Sequence, residues 1–338
     1  MKVLLTGATG FLGGAVLTKL LARGHDVRAL VRDPKKASKQ FEWTAGSHNK
    51  TVELAAGDLS NPRAAVDALP GCDAVIHMAA LVKRKAPKKL FDIVNVTSTE
   101  LLISESCKRG LRTIYTSSFF ALGPSDGLEH GRAPDSPLST DAPHTDYERT
   151  KREADRSLET LRKTGAPFIT LYPGVLYGPG EFTEANLVTG ILIDHFRGKV
   201  PGLPGGGRAI WCYGYVDDVA EAHCVALERG RPGAKLAIPG DNKTGMQFFE
   251  ELQRLTGLKP PKWNIPIPAV WCAGALEEFI ASIAKREPKL TRAEALTYSH
   301  HWALDGRRGG EELGIRATPL SEGLKKTLEW MEAKKLTA

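Results

Sequence analysis

The chain opens MKVLLTGATGFLGGAVLTKLLARGHDVRALVR. An unbroken apolar run gives way at once to three spaced glycines. A helix with leucines and valines at helical spacing follows, then a second unbroken apolar run. Strands without polar alternation are buried on both faces, and a helix between two of them brings the chain back to start a parallel neighbour. This order constrains the fold more tightly than any compositional figure. It repeats through TVELAAGD (51–58), a short helix after Pro62, CDAVIHMAA (72–80), a helix over 90–109, RTIYTSS (112–118), a helix over 146–164 and APFITLYPG (166–174). The pattern predicts an α/β fold with a doubly wound parallel sheet. After Gly174 glycine and proline become dense (YGPGE, VPGLPGGG) and helices dominate, ending in an amphipathic helix around 320–335. One later strand, AKLAIPG (234–240), is expected to return to the sheet. The 125–145 segment, rich in Pro, Ser, Asp and His, reads as a long surface loop.

Composition excludes more than it selects. A chain of 338 residues with 42% hydrophobic and 25% charged residues has the make-up of a soluble protein with a large core. The net charge of +7 invites a nucleic-acid partner, but the densest basic cluster, KRKAPKK (83–89), has no interleaved aromatics. It reads as a solvated loop or helix face, and no nucleic-acid partner is expected. Cys72, Cys107, Cys212, Cys224 and Cys272 show neither CxxC spacing nor a nearby histidine at zinc-ligand spacing. They read as small buried hydrophobes in a reducing compartment, cytoplasm or organelle stroma, with no metal site. No secretory signal is expected.

Gly7, Gly10 and Gly13 form GxxGxxG in TGATGFLG, at the first strand–helix junction. The bare triplet is weak; its place is informative. Backbone N–H groups and a helix N-terminus there can hold a pyrophosphate. NAD binders commonly end the second strand on an acidic residue that takes the ribose hydroxyls. Here the strand ends Val31-Arg32, followed by Lys35 and Lys36. Arg32 suits a 2′-phosphate, favouring NADP(H), with NAD(H) the alternative. Asp58, in GDL, is placed to meet the adenine amino group. Tyr147 and Lys151, in YERTK, lie one helical turn apart on one face. An ammonium beside a phenol is expected to lower its pKa and make it a usable proton donor or acceptor. Ser118 offers a hydroxyl to a reacting carbonyl oxygen.

In this order, TGATGFLG, GDL, DAVIHMAA, TSS, YERTK, YPGVLYGPG and YVDDVAEAH, the chain resembles the extended short-chain dehydrogenase/reductase superfamily along almost its whole length. The resemblance implies a Rossmann nucleotide-binding domain over 1–175, joined by the 234–240 strand. It implies a smaller, mostly helical substrate-binding domain over 176–233 and 241–338. It implies Ser118, Tyr147 and Lys151 as a catalytic triad, with Lys151 also on the nicotinamide ribose. Asn95, in IVNVTSTELL, matches the family's helix asparagine. Cofactor contacts are implied at Gly7, Thr9, Gly10, Phe11, Leu12, Gly13, Arg32, Lys36, Asp58, Leu59, Ala79, Pro173 and Val175. Ser118 is preferred over Ser117 because the family serine lies five residues before the glycine, here Gly123. Strand alternation also puts the two serines on opposite faces. The family's dimers pair two helices as a four-helix bundle, so a homodimer is a further expectation.

Two departures from nucleotide-sugar enzymes point to a greasy substrate. Where sugar dehydratases carry an acid pair after the serine, this chain has Phe119 and Phe120. Where epimerases place a diphosphate-gripping arginine, it has Trp211, with Arg208 nearby. The chain looks like the dihydroflavonol-reductase-like branch, and IYTSSFFALG and LYPGVLYGPG are similar to plant farnesol dehydrogenase-like members. The expected reaction interconverts a hydrophobic alcohol and its aldehyde or ketone. A nucleotide-sugar epimerase, or a non-catalytic NADP-binding subunit, is the alternative. The stretch IPIPAVWCAGAL (265–276) is too short to span a bilayer, while 268–284 is apolar on more than one face. It reads as a core or lid helix, or as a surface helix that touches a membrane.

Overall fold

The computed structural model describes residues 1–46, 52–127, 131–137, 139–180 and 186–336. Residues 128–130 and 138 of the expected 125–145 loop, residue 51 of the third strand and residue 181 of YGPGE lie outside the described residues.

Six strands follow the predicted order: β1 (Lys2–Thr6), β2 (Asp26–Val31), β3 (Val52–Ala56), β4 (Ala74–His77), β5 (Arg112–Thr116) and β6 (Ile169–Tyr172). A later strand, Lys235–Ala237, pairs beside β6. The sheet runs β3-β2-β1-β4-β5-β6 and then Lys235–Ala237, with every pairing parallel. The order reverses between β1 and β4, which opens a crevice at the carboxyl ends of those strands. β1, β4 and β6 are almost wholly buried because helices cover both faces. The helix Phe11–Ala22 lies against the helix Val216–Arg229 on one of those faces, and Val16, Leu17, Leu20, Val219 and Leu227 join one core there.

Three regions depart from the sequence expectations. The helix expected over 90–109 is an α-turn (Lys88–Phe91), a π-helical stretch (Asp92–Thr97) and an α-helix (Ser98–Lys108). The wide turn brings Asn95 and Asp92 to the helix Asp146–Lys163 that carries Tyr147 and Lys151. The segment after Gly174 is less purely helical than expected. Val175–Tyr177, Ile210–Tyr215 and Asp241–Thr244 form a three-stranded sheet, and Gly202–Pro204 pairs with Trp263–Ile265. A helix also spans Pro34–Gly46, where the polar KKASKQ run shows little apolar periodicity.

The 83–89 basic run is not merely solvated. Arg84 Nε sits 2.8 Å from Glu294 and its backbone N–H donates to Glu287 at 3.0 Å, tying the loop after β4 to the C-terminal helices. The 125–145 segment is likewise pinned, by bridges from Ser125 to His301 and from Arg132 to Leu304.

Candidate active site

The phosphate loop is a backbone device. Gly7 follows β1 at φ +80°, and a Cβ there would stand 3.0 Å from the Ala79 nitrogen. Gly10 donates to the Gly7 carbonyl at 2.9 Å. A Cβ on Gly13 would lie 1.9 Å from that carbonyl, so only glycine lets the helix pack this close to the turn. Gly10 caps the helix Phe11–Ala22 without any side-chain hydrogen bond to its first N–H groups. These donors and the helix dipole face the crevice and suit an anion. Thr9 and Leu12 flank the loop, and Phe11 lies under Gly180, whose added Cβ would meet its ring at 2.9 Å.

A buried relay locks this loop to β4. The Met78 and Ala79 N–H groups both donate to Thr6 Oγ1, at 3.2 and 3.1 Å. With its lone pairs taken, the Thr6 hydroxyl donates to His77 Nδ1 at 2.7 Å, and His77 Nε2 donates to Thr99 Oγ1 at 2.9 Å. Burial, then the nearby Lys151 charge, pushes His77 down to about 3, so the ring stays neutral. Sequence reading passed over His77; its place at the end of an apolar run was the available signal.

Arg32 and Lys36 stand exposed beyond the end of β2. Asp58, past β3, accepts the Ser60 N–H at 2.7 Å, and this bond, aided by the Arg32 charge, holds its carboxyl below the usual range. Arg32 and Asp58 therefore share one rim of the crevice. Leu59 is buried, its carbonyl held by Ser98 Oγ at 2.7 Å. On the far side the Pro173 carbonyl accepts the Phe119 N–H at 3.1 Å, and Val175 starts the three-stranded sheet. The unpartnered helix start, the cradle at Gly7 and Gly13 and the basic rim together fit a dinucleotide.

The helix Asp146–Lys163 starts at Thr145, whose hydroxyl accepts the Glu148 N–H. This start puts Tyr147 in the first turn and Lys151 one turn later. Lys151 Nζ donates to the Thr116 carbonyl at 2.9 Å and lies 5.9 Å from the centre of the Tyr147 ring. β5 ends at Thr116, so Ser118 is not the strand end expected but the cap of the short helix Phe119–Leu122. Its hydroxyl accepts the Phe120 N–H at 3.3 Å and acts on the Tyr147 phenol, favouring its charged form. Ser117 points elsewhere, donating to Asp155 Oδ1 at 2.8 Å. The two serines point apart, Ser117 onto Asp155 and Ser118 toward Tyr147, but both lie beyond the end of β5, so strand alternation is not what separates them.

The expected lowering of the phenol is not found. Desolvation by the surrounding walls outweighs the opposing influence of the Ser118 hydroxyl and raises Tyr147 to about 12. The same desolvation lowers Lys151 to about 8 against the opposing pull of Asp155. Asp155 is itself raised by burial, despite bonds from Ser117 and Tyr172. At neutral pH the pair is a phenol holding its proton beside an ammonium ready to lose one.

Two groups fix this geometry. Asn95, buried in the π-turn, accepts the Leu81 N–H at 2.7 Å and donates to the Leu81 carbonyl at 3.2 Å and to Thr150 Oγ1 at 2.9 Å. It joins the segment after β4 to the turn between Tyr147 and Lys151. His223, in YVDDVAEAH, donates from Nδ1 to the Val219 carbonyl at 2.7 Å and so accepts the Thr116 hydroxyl at Nε2, at 2.8 Å. Thr116 therefore serves His223 with its side chain and Lys151 with its carbonyl. The motif was legible; its histidine's task was not.

The remaining wall is aromatic. The Phe120 ring lies 6.1 Å from Tyr147, edge on, 4.6 Å from Trp302 and 6.4 Å from Trp211. Phe119 packs against both tryptophans, and Tyr298 lies 5.9 Å from Trp211. Trp302 and Tyr298, far along the chain, were not identified from sequence.

Residues 3–238 match the model of the NAD dependent epimerase/dehydratase family. A sterol demethylase protein B of Methylococcus capsulatus is 30% identical over 98% of both chains. A putative dihydroflavonol 4-reductase of Synechocystis is 26% identical over 97% of this chain and 93% of its own. Other relatives are named as reductases and dehydrogenases. The crystal structure of gox2253 superposes with a TM-score of 0.77 at 28% identity, covering 98% of each chain. The chain is an oxidoreductase acting on CH–OH groups, and it belongs to the NAD dependent epimerase/dehydratase family, within the extended short-chain dehydrogenase/reductase superfamily.

Proposed function

We propose that the protein interconverts a hydrophobic alcohol and its aldehyde or ketone, preferring NADP(H). The observation that carries this reading is the aromatic cluster beside Tyr147, in which the partly exposed Phe120, Trp211 and Tyr298 are backed by the buried Phe119 and Trp302. Such a surface holds an apolar molecule by burial and ring packing and offers little to a sugar diphosphate. Dihydroflavonol-reductase-like and sterol-named relatives agree with it. So does the farnesol-dehydrogenase likeness of IYTSSFFALG and LYPGVLYGPG, which the sequence alone carries.

The glycine loop, Asp58, Leu59, Ala79, Pro173 and Val175 would hold the dinucleotide, and Arg32 and Lys36 a 2′-phosphate. The bound nicotinamide supplies or takes the hydride. Ser118 orients the substrate oxygen. Tyr147, protonated at neutral pH, gives that oxygen its proton in reduction. Lys151, held on Thr116, keeps positive charge near the phenolate that results. Asn95 and His223 keep Tyr147 and Lys151 in register. Preorganisation of this kind is the protein's share of such a reaction.

The test is an alcohol and carbonyl panel spanning terpenoids, flavonoids and steroids, run with both cofactors. Tyr147→Phe should lower turnover by about 10²–10⁴-fold while cofactor binding stays intact. Unchanged turnover would remove Tyr147 from the chemistry. Arg32→Ala should erase the NADP(H) preference, and an unaltered preference would exclude Arg32 from cofactor choice.

A further inference from the structure

The helix Ile267–Ile283 buries only Val270, Gly274 and Ala281. Its opposite face carries Cys272, Leu276, Phe279, Ile280 and Ile283, at spacings of three and four residues that align them in one stripe. Leu276 is 61% exposed, Phe279 64% and Ile283 69%. Trp263, just before the helix, is 71% exposed. A lone exposed leucine needs no explanation, but a contiguous stripe of this kind does.

The charges around the stripe are arranged in one sense. The two carboxylates of the helix are drawn to its inner side. Glu277 pairs with Arg286 at 2.6 Å and accepts the Lys289 N–H at 2.8 Å. Glu278 pairs with Arg292 at 2.8 Å and accepts its N–H at 2.9 Å, and that guanidinium lies 5.6 Å over the Trp271 ring. Glu287, beyond the helix, is taken by the Arg84 loop. The outer face is left without negative charge. Lys259 and Lys262 before the helix and Lys285 after it are exposed and have no carboxylate partner among the described residues. An apolar stripe with tryptophan at one end and lysines at both ends has the chemistry of a helix lying in the headgroup plane of an anionic bilayer.

We propose that this face is a docking surface for anionic lipid. No described helix is long and apolar enough to cross a membrane, so the contact is peripheral. The helix packs on Arg292–Thr297, which leads directly to Tyr298 and Trp302 of the aromatic wall. Loading of an apolar substrate through this face rests on the functional reading above; lipid contact itself rests only on exposure and charge.

Flotation of the full-length protein with phosphatidylcholine vesicles, with and without phosphatidylserine, tests lipid contact without turnover. The wild type should rise with the phosphatidylserine vesicles and release as salt is raised. Leu276→Ser/Phe279→Ser/Ile283→Ser should weaken that binding by on the order of a hundredfold, with cofactor binding unaltered. Lys262→Glu and Lys285→Glu should each weaken it at least roughly fivefold. Wild type left at the bottom with both vesicle types overturns the proposal. A triple variant that floats equally well overturns it too. So does a solution dimer that the triple substitution splits while no flotation occurs, because a second copy then covers the stripe.

Discussion

The two walls of the cleft are built by different means. On the side of β1 and β4 the chain uses backbone. Gly7 and Gly13 remove side chains so that a helix start can approach the crevice, and Thr6 and His77 bind the loop from beneath. On the side of Phe120 the chain uses bulk, gathering rings from positions 119, 120, 147, 211, 298 and 302. The first wall has little freedom to vary at its glycines, since a Cβ at Gly7 or Gly13 would run into backbone. The second can change character by side-chain replacement while the sheet stays intact. One site can thus keep a common cofactor and differ from its relatives in substrate.

The largest expected effect lies on the backbone wall. Gly13→Val would drive a Cβ into the Gly7 carbonyl, and about 4 kcal/mol of stability should be lost together with cofactor binding. Denaturant unfolding and cofactor titration check it; a stable variant that still binds cofactor would break the contrast between the walls.

Next comes acid sensitivity. His77 and His223 are buried and neutral, at about 3 and about 4 in the fold against an ordinary 6.5. The unfolded chain takes up their protons first, so stability is intact above pH 6.5 and falls as pH drops from there toward 4. The slope should approach about 1.4 kcal/mol per histidine per pH unit. His223→Gln should flatten the curve in proportion, read by urea unfolding across that range.

Asn95→Ala would leave the Leu81 N–H and carbonyl without their side-chain partner, costing about 1–3 kcal/mol. If Asn95 positions the Tyr147 turn, kcat should fall more than KM rises, and Asn95→Asp should restore stability better than turnover. Equal recovery of both would make its role purely structural. The smallest effect is on the aromatic wall. Trp211→Arg should leave the fold stable and cut kcat/KM for an apolar alcohol about tenfold. No change would show that Trp211 takes no part in selecting substrate.

The sheet was legible because buried parallel strands write themselves as unbroken apolar runs, and Gly7, Gly10 and Gly13 fall where one such run meets a helix. The juxtaposition of Tyr147 and Lys151 on one helix was legible by spacing, and Ser118 was placed near them by the order of motifs. The strands Gly202–Pro204 and Trp263–Ile265 were not, since three residues hold no measurable period. The raised Tyr147 phenol was not legible either, because desolvation is a property of the packed walls and the helix spacing reports only the lysine. Trp302 joins Phe119 and Phe120 across a separation that no local pattern records.

The π-stretch at Asp92–Thr97 has a consequence for insertions and deletions. A π-turn is an α-turn holding one surplus residue. Removing one residue from this stretch should heal the helix into a regular one, with every backbone bond still made. The loss would be in direction: Asn95 would swing by roughly a quarter turn, away from Leu81 and Thr150. In this segment chain length, as much as residue identity, aims a side chain.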